Sequence, residues 1–407
     1  MKSIFIFFFI FLLGLNSGKA QINPTISSVT GQTSVVTTTV PFLLITPDAR
    51  SGGIADAGVA ISPDANSIYW NPSKLAFAPD DMAFSASYTP WMRELVPDVN
   101  LYNLSGYKKL DDKSGIGISV RYFDLGTVNF TDSVNRVIKL YNPTEFCLSA
   151  GYARKLSEHF SIGISGSFIY SDLAGSTTLS NNVFTKPAKD IAVGFSAYYT
   201  KKIDIGTKVA DIAFGANISN IGPKLTYTGT TDDFLPTNLK IGGYFNFHIN
   251  DQNKIGIALD LNKLLVPTPP IYAVNDSGKL IYNADGTPKI SRGKNPNVSV
   301  LQGMVQSFYD APGGFKQEIA EIDPSIALEY WLLNKYSARL GFFYEDPSQG
   351  NRQYMTIGLG ANISGIVLDV AYLIVTNNTN IVTISPLTNT IRISLSTNIN
   401  KGKLVKG

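Results

Sequence analysis

In stretch after stretch of this chain apolar residues occupy every second position, and the face left opposite is small and polar. Residues 160–171 show it best: Phe160, Ile162, Ile164, Phe168 and Tyr170 alternate with Ser161, Gly163, Ser165, Ser167 and Ser171. Ile255, Ile257, Leu259 and Leu261 alternate with Gly256, Ala258, Asp260 and Asn262, and Ile391, Ile393 and Leu395 with Arg392, Ser394 and Ser396. A period of two puts each set on one face of an extended strand. In a soluble sandwich the apolar face would be the core and the other face would carry charge. Here the other face is mostly Gly, Ser, Ala and Asn, which suits a barrel turned inside out, with lipid on the apolar side. Closure also leaves no backbone group unpaired in hydrocarbon.

The pattern predicts an all-β fold, a transmembrane antiparallel β-barrel of about fourteen strands: 83–88, 99–109, 115–123, 145–156, 159–171, 190–201, 209–219, 237–249, 254–264, 323–333, 336–345, 352–362, 365–375 and 389–399. Short connections follow every second strand, as at Asp111-Asp112-Lys113-Ser114, Ser157-Glu158, Asp251-Gln252 and Asn334-Lys335. Short periplasmic turns alternating with longer outer loops is the rhythm of outer-membrane barrels, and it places both ends of the chain in the periplasm. Replacing Ile164 or Ile257 by Arg is then expected to be costly, and the same change at Ser165 or Ala258 cheaper.

Composition excludes the alternatives. The chain is 44% hydrophobic and only 16% charged, against roughly a quarter charged in soluble domains. A helical membrane protein would need apolar runs of about twenty residues. The one long run is residues 4–15, preceded by Lys2 and followed by Asn16-Ser17-Gly18-Lys19-Ala20. That is the three-part pattern of a secretory signal peptide over residues 1–20, with cleavage after Ala20. The single Cys147 reads as a small wall residue, and His159 and His248 lack ligand spacing, so no metal site and no cofactor are expected. A net charge of +3 gives no reason to expect nucleic acid. Nucleophile elbows, phosphate loops and dinucleotide fingerprints are missing, so no catalytic residue is assigned and the chain does not read as an enzyme.

Residues 21–80 break the strand pattern, and a compact segment ahead of a barrel of this size reads as an N-terminal lumen plug. Within it, Ser62-Pro63-Asp64 reads as a helix start. Asp48, Arg50 and Asp56 surround a Gly52-Gly53 turn. They form either a gate that shifts when a partner binds or charges that pair with inward wall residues such as Arg121, Lys240, Asp260, Glu329, Arg339, Asp369 and Arg392. Asn71-Pro72 ends a helix, because the residue before proline avoids helical angles.

The run Val40-Pro41-Phe42-Leu43-Leu44-Ile45-Thr46-Pro47-Asp48-Ala49-Arg50-Ser51-Gly52-Gly53, with Asp64-Ala65-Asn66-Ser67-Ile68-Tyr69-Trp70-Asn71-Pro72-Ser73-Lys74, resembles the PorV family of the Bacteroidetes type IX secretion system. Ser87-Tyr88-Thr89-Pro90-Trp91, Arg121-Tyr122-Phe123, Tyr152-Ala153-Arg154-Lys155-Leu156-Ser157 and Phe168-Ile169-Tyr170-Ser171-Asp172-Leu173 add to the resemblance, which runs from about residue 37 to the end. The chain departs from its relatives at Ile54-Ala55, where they often read Met-Gly, and at residues 401–407, where barrels commonly end in an aromatic residue. The resemblance implies a FadL-like plugged barrel in the cell outer membrane. It also implies a secretion role without catalysis: cargo with a C-terminal signal domain is received from the translocon barrel and passed to a surface attachment complex containing a sortase. The alternative is a FadL-like transporter of hydrophobic small molecules, in which the Asn71-Pro72 pair resembles the signature of such plugs.

Partner contacts are expected on two outer loops. In residues 89–98, Trp91, Met92 and Leu95 surround Arg93 and Glu94, a composition suited to an interface core or to the aromatic girdle of a barrel. In residues 265–322 a helix is expected over 298–308, with Val298, Leu301, Val305 and Phe308 near one face. That face docks a partner or packs on the barrel's own rim.

Overall fold

The computed structural model describes residues 34–131, 134–178, 183–229, 232–376 and 385–400. The expected signal peptide, the start of the segment after it and the closing run 401–407 lie outside these.

Fourteen strands close into one antiparallel barrel: β1 (Met82–Pro90), β2 (Asn100–Lys109), β3 (Ser114–Asp124), β4 (Thr144–Lys155), β5 (Phe160–Asp172), β6 (Ala188–Ile205), β7 (Lys208–Ile221), β8 (Asn238–His248), β9 (Lys254–Leu264), β10 (Ile322–Leu332), β11 (Tyr336–Tyr344), β12 (Gln353–Ile363), β13 (Ile366–Val375) and β14 (Ile391–Ile399). Each pairs with the next, and β14 closes on β1 from Met82↔Ile399 to Tyr88↔Ile393. Six turns of two to five residues alternate with seven loops of eight to 57 residues, so the barrel has a short-turn end and a long-loop end. Three of the long loops carry small two-stranded hairpins, Val128–Thr131 with Val137–Tyr141, Thr177–Thr178 with Phe184–Thr185, and Ile271–Tyr272 with Ile290–Arg292.

The alternation sorts the faces as the sequence predicts. Ile162, Ile164, Ile255, Ile257, Leu259, Ile393 and Leu395 stand on the outside, while Ser161, Ala258, Asp260, Arg392 and Ser394 are buried inside. On β5, Ile169 is an apolar exception on the inner face. It is fully buried in a cluster with Phe42, Leu43 and Phe123.

The lumen is occupied by residues 39–78. Wall strands around the whole circumference meet this inner segment. Ser394 on β14 accepts from Ala49 N at 2.8 Å, Thr356 on β12 from Ala55 N at 2.9 Å, and Ser196 on β6 from Ser73 N at 3.0 Å. Glycines on the inner face let the two backbones touch. A Cβ at Gly215 would lie 2.2 Å from Val59 O, and one at Gly341 would lie 2.5 Å from Ala55 N. The small residues opposite the apolar face are therefore room for a second chain segment as much as a wet surface.

Both ends of the chain, expected at the short-turn end, lie outside the described residues. The end of β14 lies at the short-turn end, and Ser34 lies at the long-loop end, where Gln317 Nε2 in the longest loop donates to Ser34 Oγ at 3.1 Å. The inner segment runs down the lumen from the long-loop end to β1. One expectation fails: Ser62 does not cap a helix. The helix is Ser67–Trp70, and Ser62 Oγ instead accepts from Arg50 NH2 at 2.7 Å. The demand of a buried guanidinium overrides the local capping preference.

Candidate functional site

The inner segment is held by charge. Asp48 caps the short helix Ala49–Gly52 by accepting from Ser51 N at 2.8 Å, and its other oxygen accepts from Trp70 Nε1 at 2.7 Å. Arg50 donates to both oxygens of Glu329 at 3.1 Å, to Asp64 at 3.0 Å and to Ser62 O at 3.1 Å. Glu329 on β10 also accepts from Arg339 Nε at 2.8 Å and Tyr244 OH at 3.0 Å, and Arg339 continues to Asp369 at 2.6 Å. Further round, Tyr354 OH donates to Asp56, whose other oxygen lies 3.5 Å from Arg392. Gly52 and Gly53 are close-packing positions: a Cβ on Gly52 would meet the Arg392 side chain at 2.7 Å, and one on Gly53 the Gly358 Cα at 2.9 Å.

Further round the wall, Asp260 on β9 accepts from Gly58 N at 2.7 Å and Val59 N at 2.9 Å. Asn71 takes extended angles, φ −166° and ψ 95°, ending Ser67–Trp70 and capping the 3-10 turn Pro72–Phe77 with Pro72 at its first position. Its Nδ2 donates to Val59 O at 2.9 Å and to Ala197 O on β6 at 3.0 Å. Lys74, which the sequence places only at the end of a resembling run, is fully buried and donates to Gly58 O at 2.8 Å, a partnership that no local pattern announces.

Above this floor, at the long-loop end, a cavity of about 970 Å³ opens. One wall is apolar, with Phe42, Ile45, Val96, Val99, Phe123 and Leu125; the opposite wall carries Lys240, Asp323, Glu345 and Arg352. Arg352 and Glu345, which flank the β11–β12 loop, are bridged at 2.7 and 3.0 Å. Arg121 donates to Leu43 O at 3.1 Å and lies 4.7 Å from the Tyr69 ring centre, fastening the cavity floor to β3.

Trp91 and Met92 line this cavity rather than standing free outside, as their exposed-loop expectation required. The backbone is the reason. Trp91 N donates to Val99 O at 2.9 Å, and Met92, with φ 54°, turns the loop so that Leu95 N and Val96 N both return to Met92 O. Of the three, only Leu95 is exposed.

The longest loop carries helices at Val300–Gln306 and Phe315–Ala320. The first is shorter than expected because Ser299 caps it, accepting from Gln302 N, which leaves Val298 outside. Leu301, Val305 and Phe308 are exposed. Burial pushes the carboxyls of Asp310 and Glu321 in this loop above the usual carboxylate range.

The family model for the type IX secretion system protein PorV matches residues 28–271. No curated protein matches the chain. Among solved structures, the toluene transporter TbuX of Ralstonia pickettii is 11% identical with a TM-score of 0.47, covering 87% of this chain and 98% of its own. The toluene transporter TodX of P. putida is 9% identical with a TM-score of 0.47, covering 87% and 98%. A FadL homologue of Pseudomonas aeruginosa is 11% identical with a TM-score of 0.43, covering 90% and 99%.

Proposed function

Since the chain belongs to the PorV family of type IX secretion system proteins, we propose that it is a non-enzymatic adaptor of that system in the outer membrane. It receives cargo bearing a C-terminal signal domain at the translocon barrel and passes it to the surface attachment complex and its sortase. The family match over residues 28–271 carries this reading, and the closed floor supports it. A conduit needs a floor that opens. This one is bonded to Glu329, Asp260, Thr356 and Ser394 on four different strands, and releasing it would strand buried charges. What the outer end offers is recognition, at a mouth edged by Trp91 and Met92, residue types enriched in interface cores, with Leu95 exposed beside them. On this reading Asp48, Arg50, Asp56, Gly52, Gly53, Asn71 and Pro72 make a fixed plug.

Deleting the gene tests it: surface proteins with C-terminal signal domains should accumulate in the periplasm and return to the surface on complementation. Normal display in the deletion strain would refute the adaptor role.

The apolar wall of the cavity favours a second reading, a transporter of hydrophobic small molecules, since pockets of about 300–1,000 Å³ with apolar linings suit such ligands. A deletion strain with normal surface display and impaired uptake of hydrophobic compounds would favour it over the first.

A further inference from the structure

The two helices of the longest loop are inside out. The side chains turned toward the protein are polar: Gln306 and Glu318 in the helices, and Ser307, Asp310 and Glu321 in the residues that follow them, are all buried. Gln306 Nε2 donates to Asn295 O at 3.0 Å, Ala311 N to Glu318 at 2.8 Å, and Thr268 Oγ1 to Glu321 at 2.9 Å. The apolar side chains point away, with Leu301 70%, Val305 62%, Phe315 80% and Ile319 53% exposed. A helix pair facing water would reverse this arrangement, because apolar area is what water expels.

Strand register says where the pair sits. Ile241 on β8 and Leu261 on β9 are paired, outward and exposed. Two residues further toward the long-loop end, about 7 Å along the strands, the same outer face carries Leu239, Lys263 and Ile322 in one paired row. Lys263 there is buried beneath the helices, with its Nζ 2.8 Å from Glu321, 3.4 Å from Glu318 and 5.8 Å from the ring centre of Phe308. The helix pair therefore lies against the outside of the wall, and its apolar face continues the lipid-facing surface of the barrel.

The charges of the loop divide the same way. Lys279, Lys289, Arg292, Lys294 and Lys316 are exposed with only Asp276 and Asp285 to oppose them, while Asp310, Glu318 and Glu321 are turned inward. An apolar face rimmed by cations matches the chemistry of the boundary between acyl chains and anionic headgroups.

We propose that the helix pair of residues 300–320 is an interfacial anchor that rests on the anionic headgroup layer of the outer leaflet. Leu301, Val305, Phe315 and Ile319 enter the acyl boundary, and Arg292, Lys294 and Lys316 meet headgroup phosphates. The anchor fixes the rotation of the barrel mouth relative to the membrane surface, and it does not depend on which cargo or ligand the mouth takes.

The test uses the full chain in phosphatidylglycerol-containing vesicles, with Cys147→Ser as background and a nitroxide spin label on Val305→Cys, Ile257→Cys or Lys279→Cys. The label at 305 should collide with oxygen and be shielded from a water-soluble nickel relaxant, as at 257, whereas the label at 279 should show the opposite. Changing Arg292, Lys294 and Lys316 together to Glu should lose the shielding at 305 and leave 257 unchanged. Free nickel collisions at 305 in the parent protein overturn the proposal. So does shielding that arises only when translocon proteins are added, which would make the occupant a protein. Shielding that survives the triple change overturns the role of the headgroups.

Discussion

Arg50 in the inner segment and Glu329 in β10, separated by 279 residues, share two hydrogen bonds of 3.1 Å in the interior of the barrel. The pair is the centre of a chain of charge running from Asp64 through Arg50, Glu329 and Arg339 to Asp369. Arg50, Glu329, Arg339 and Asp369 are buried in one another's company, so losing one strands its neighbour. Arg50→Met is expected to destabilise the protein by about 3–5 kcal/mol, read from reversible unfolding in lipid. Arg50→Lys keeps the charge without the fork and should fall between the two. An Arg50→Met protein as stable as the parent would show that the network does not hold the inner segment.

Backbone contact through glycine gives a second prediction. Gly215→Ala places a methyl 2.2 Å from Val59 O, whereas a Cβ at Gly166 on β5 has nothing within 4 Å. The first should cost about 1–3 kcal/mol, the usual range for overpacking, and should speed amide exchange over residues 54–61. Gly166→Ala should do neither. Equal behaviour of the two variants would mean that the wall and the inner segment do not touch at Gly215.

The two faces of the strands can be compared directly. Ile164→Arg and Ile257→Arg should each cost about 2–4 kcal/mol near the bilayer midplane. Ser165 faces a small inner cavity, so Ser165→Arg is expected to cost less. Ala258, by contrast, is buried in one apolar cluster with Ile54, Val59 and Ile61. The sequence-based expectation of a mild effect at Ala258 is therefore withdrawn, and Ala258→Arg should be as damaging as the outward changes. If Ser165→Arg proves as costly as Ile164→Arg, the assignment of faces on β5 is wrong.

Asp310 supplies a pH dependence. Burial raises its pKa above the ordinary 3.8, so the docked loop holds this proton more tightly than an undocked one. Its contribution to docking is then complete below the ordinary value and is lost as pH rises through the raised one. Glu321 is shifted in the same direction by the same cause. Amide exchange over residues 300–320, corrected for intrinsic rates, should therefore accelerate relative to the barrel strands as pH rises through that window. Asp310→Asn should flatten the dependence, and an unchanged slope in that variant would assign the effect to another group.

Much of the barrel was legible in the sequence because a strand in lipid answers to one rule, alternation, and β5 and β9 obey it over most of their length. Where the rule breaks, a segment from elsewhere in the chain is responsible. Ile169 is apolar and inward because it joins a buried cluster with Phe42 and Leu43 of the inner segment, and Lys263 is charged and outward because Glu318 and Glu321 cover it. The inner segment was legible only as an interruption. Its helices are four residues long, too short to show a period, and its shape is set by partners such as Glu329, Thr356 and Asp260. Trp91 was misplaced for a similar reason: its composition suggested an outer surface, but a single left-handed residue, Met92, turned it into the mouth.

The threading of the lumen also orders the assembly of the molecule. A closed barrel admits its own leading segment only end-on, and Arg50 would then have to slide unpaired past the inner wall before reaching Glu329. Pairing that segment with β8–β13 while the sheet is still an open trough avoids the passage. The seam between β1 and β14, from Met82↔Ile399 to Tyr88↔Ile393, is thus the last to zip. In a time-resolved assembly assay a crosslink between positions 50 and 329 should form before one between 85 and 396; the reverse order would mean that the segment is drawn in afterwards.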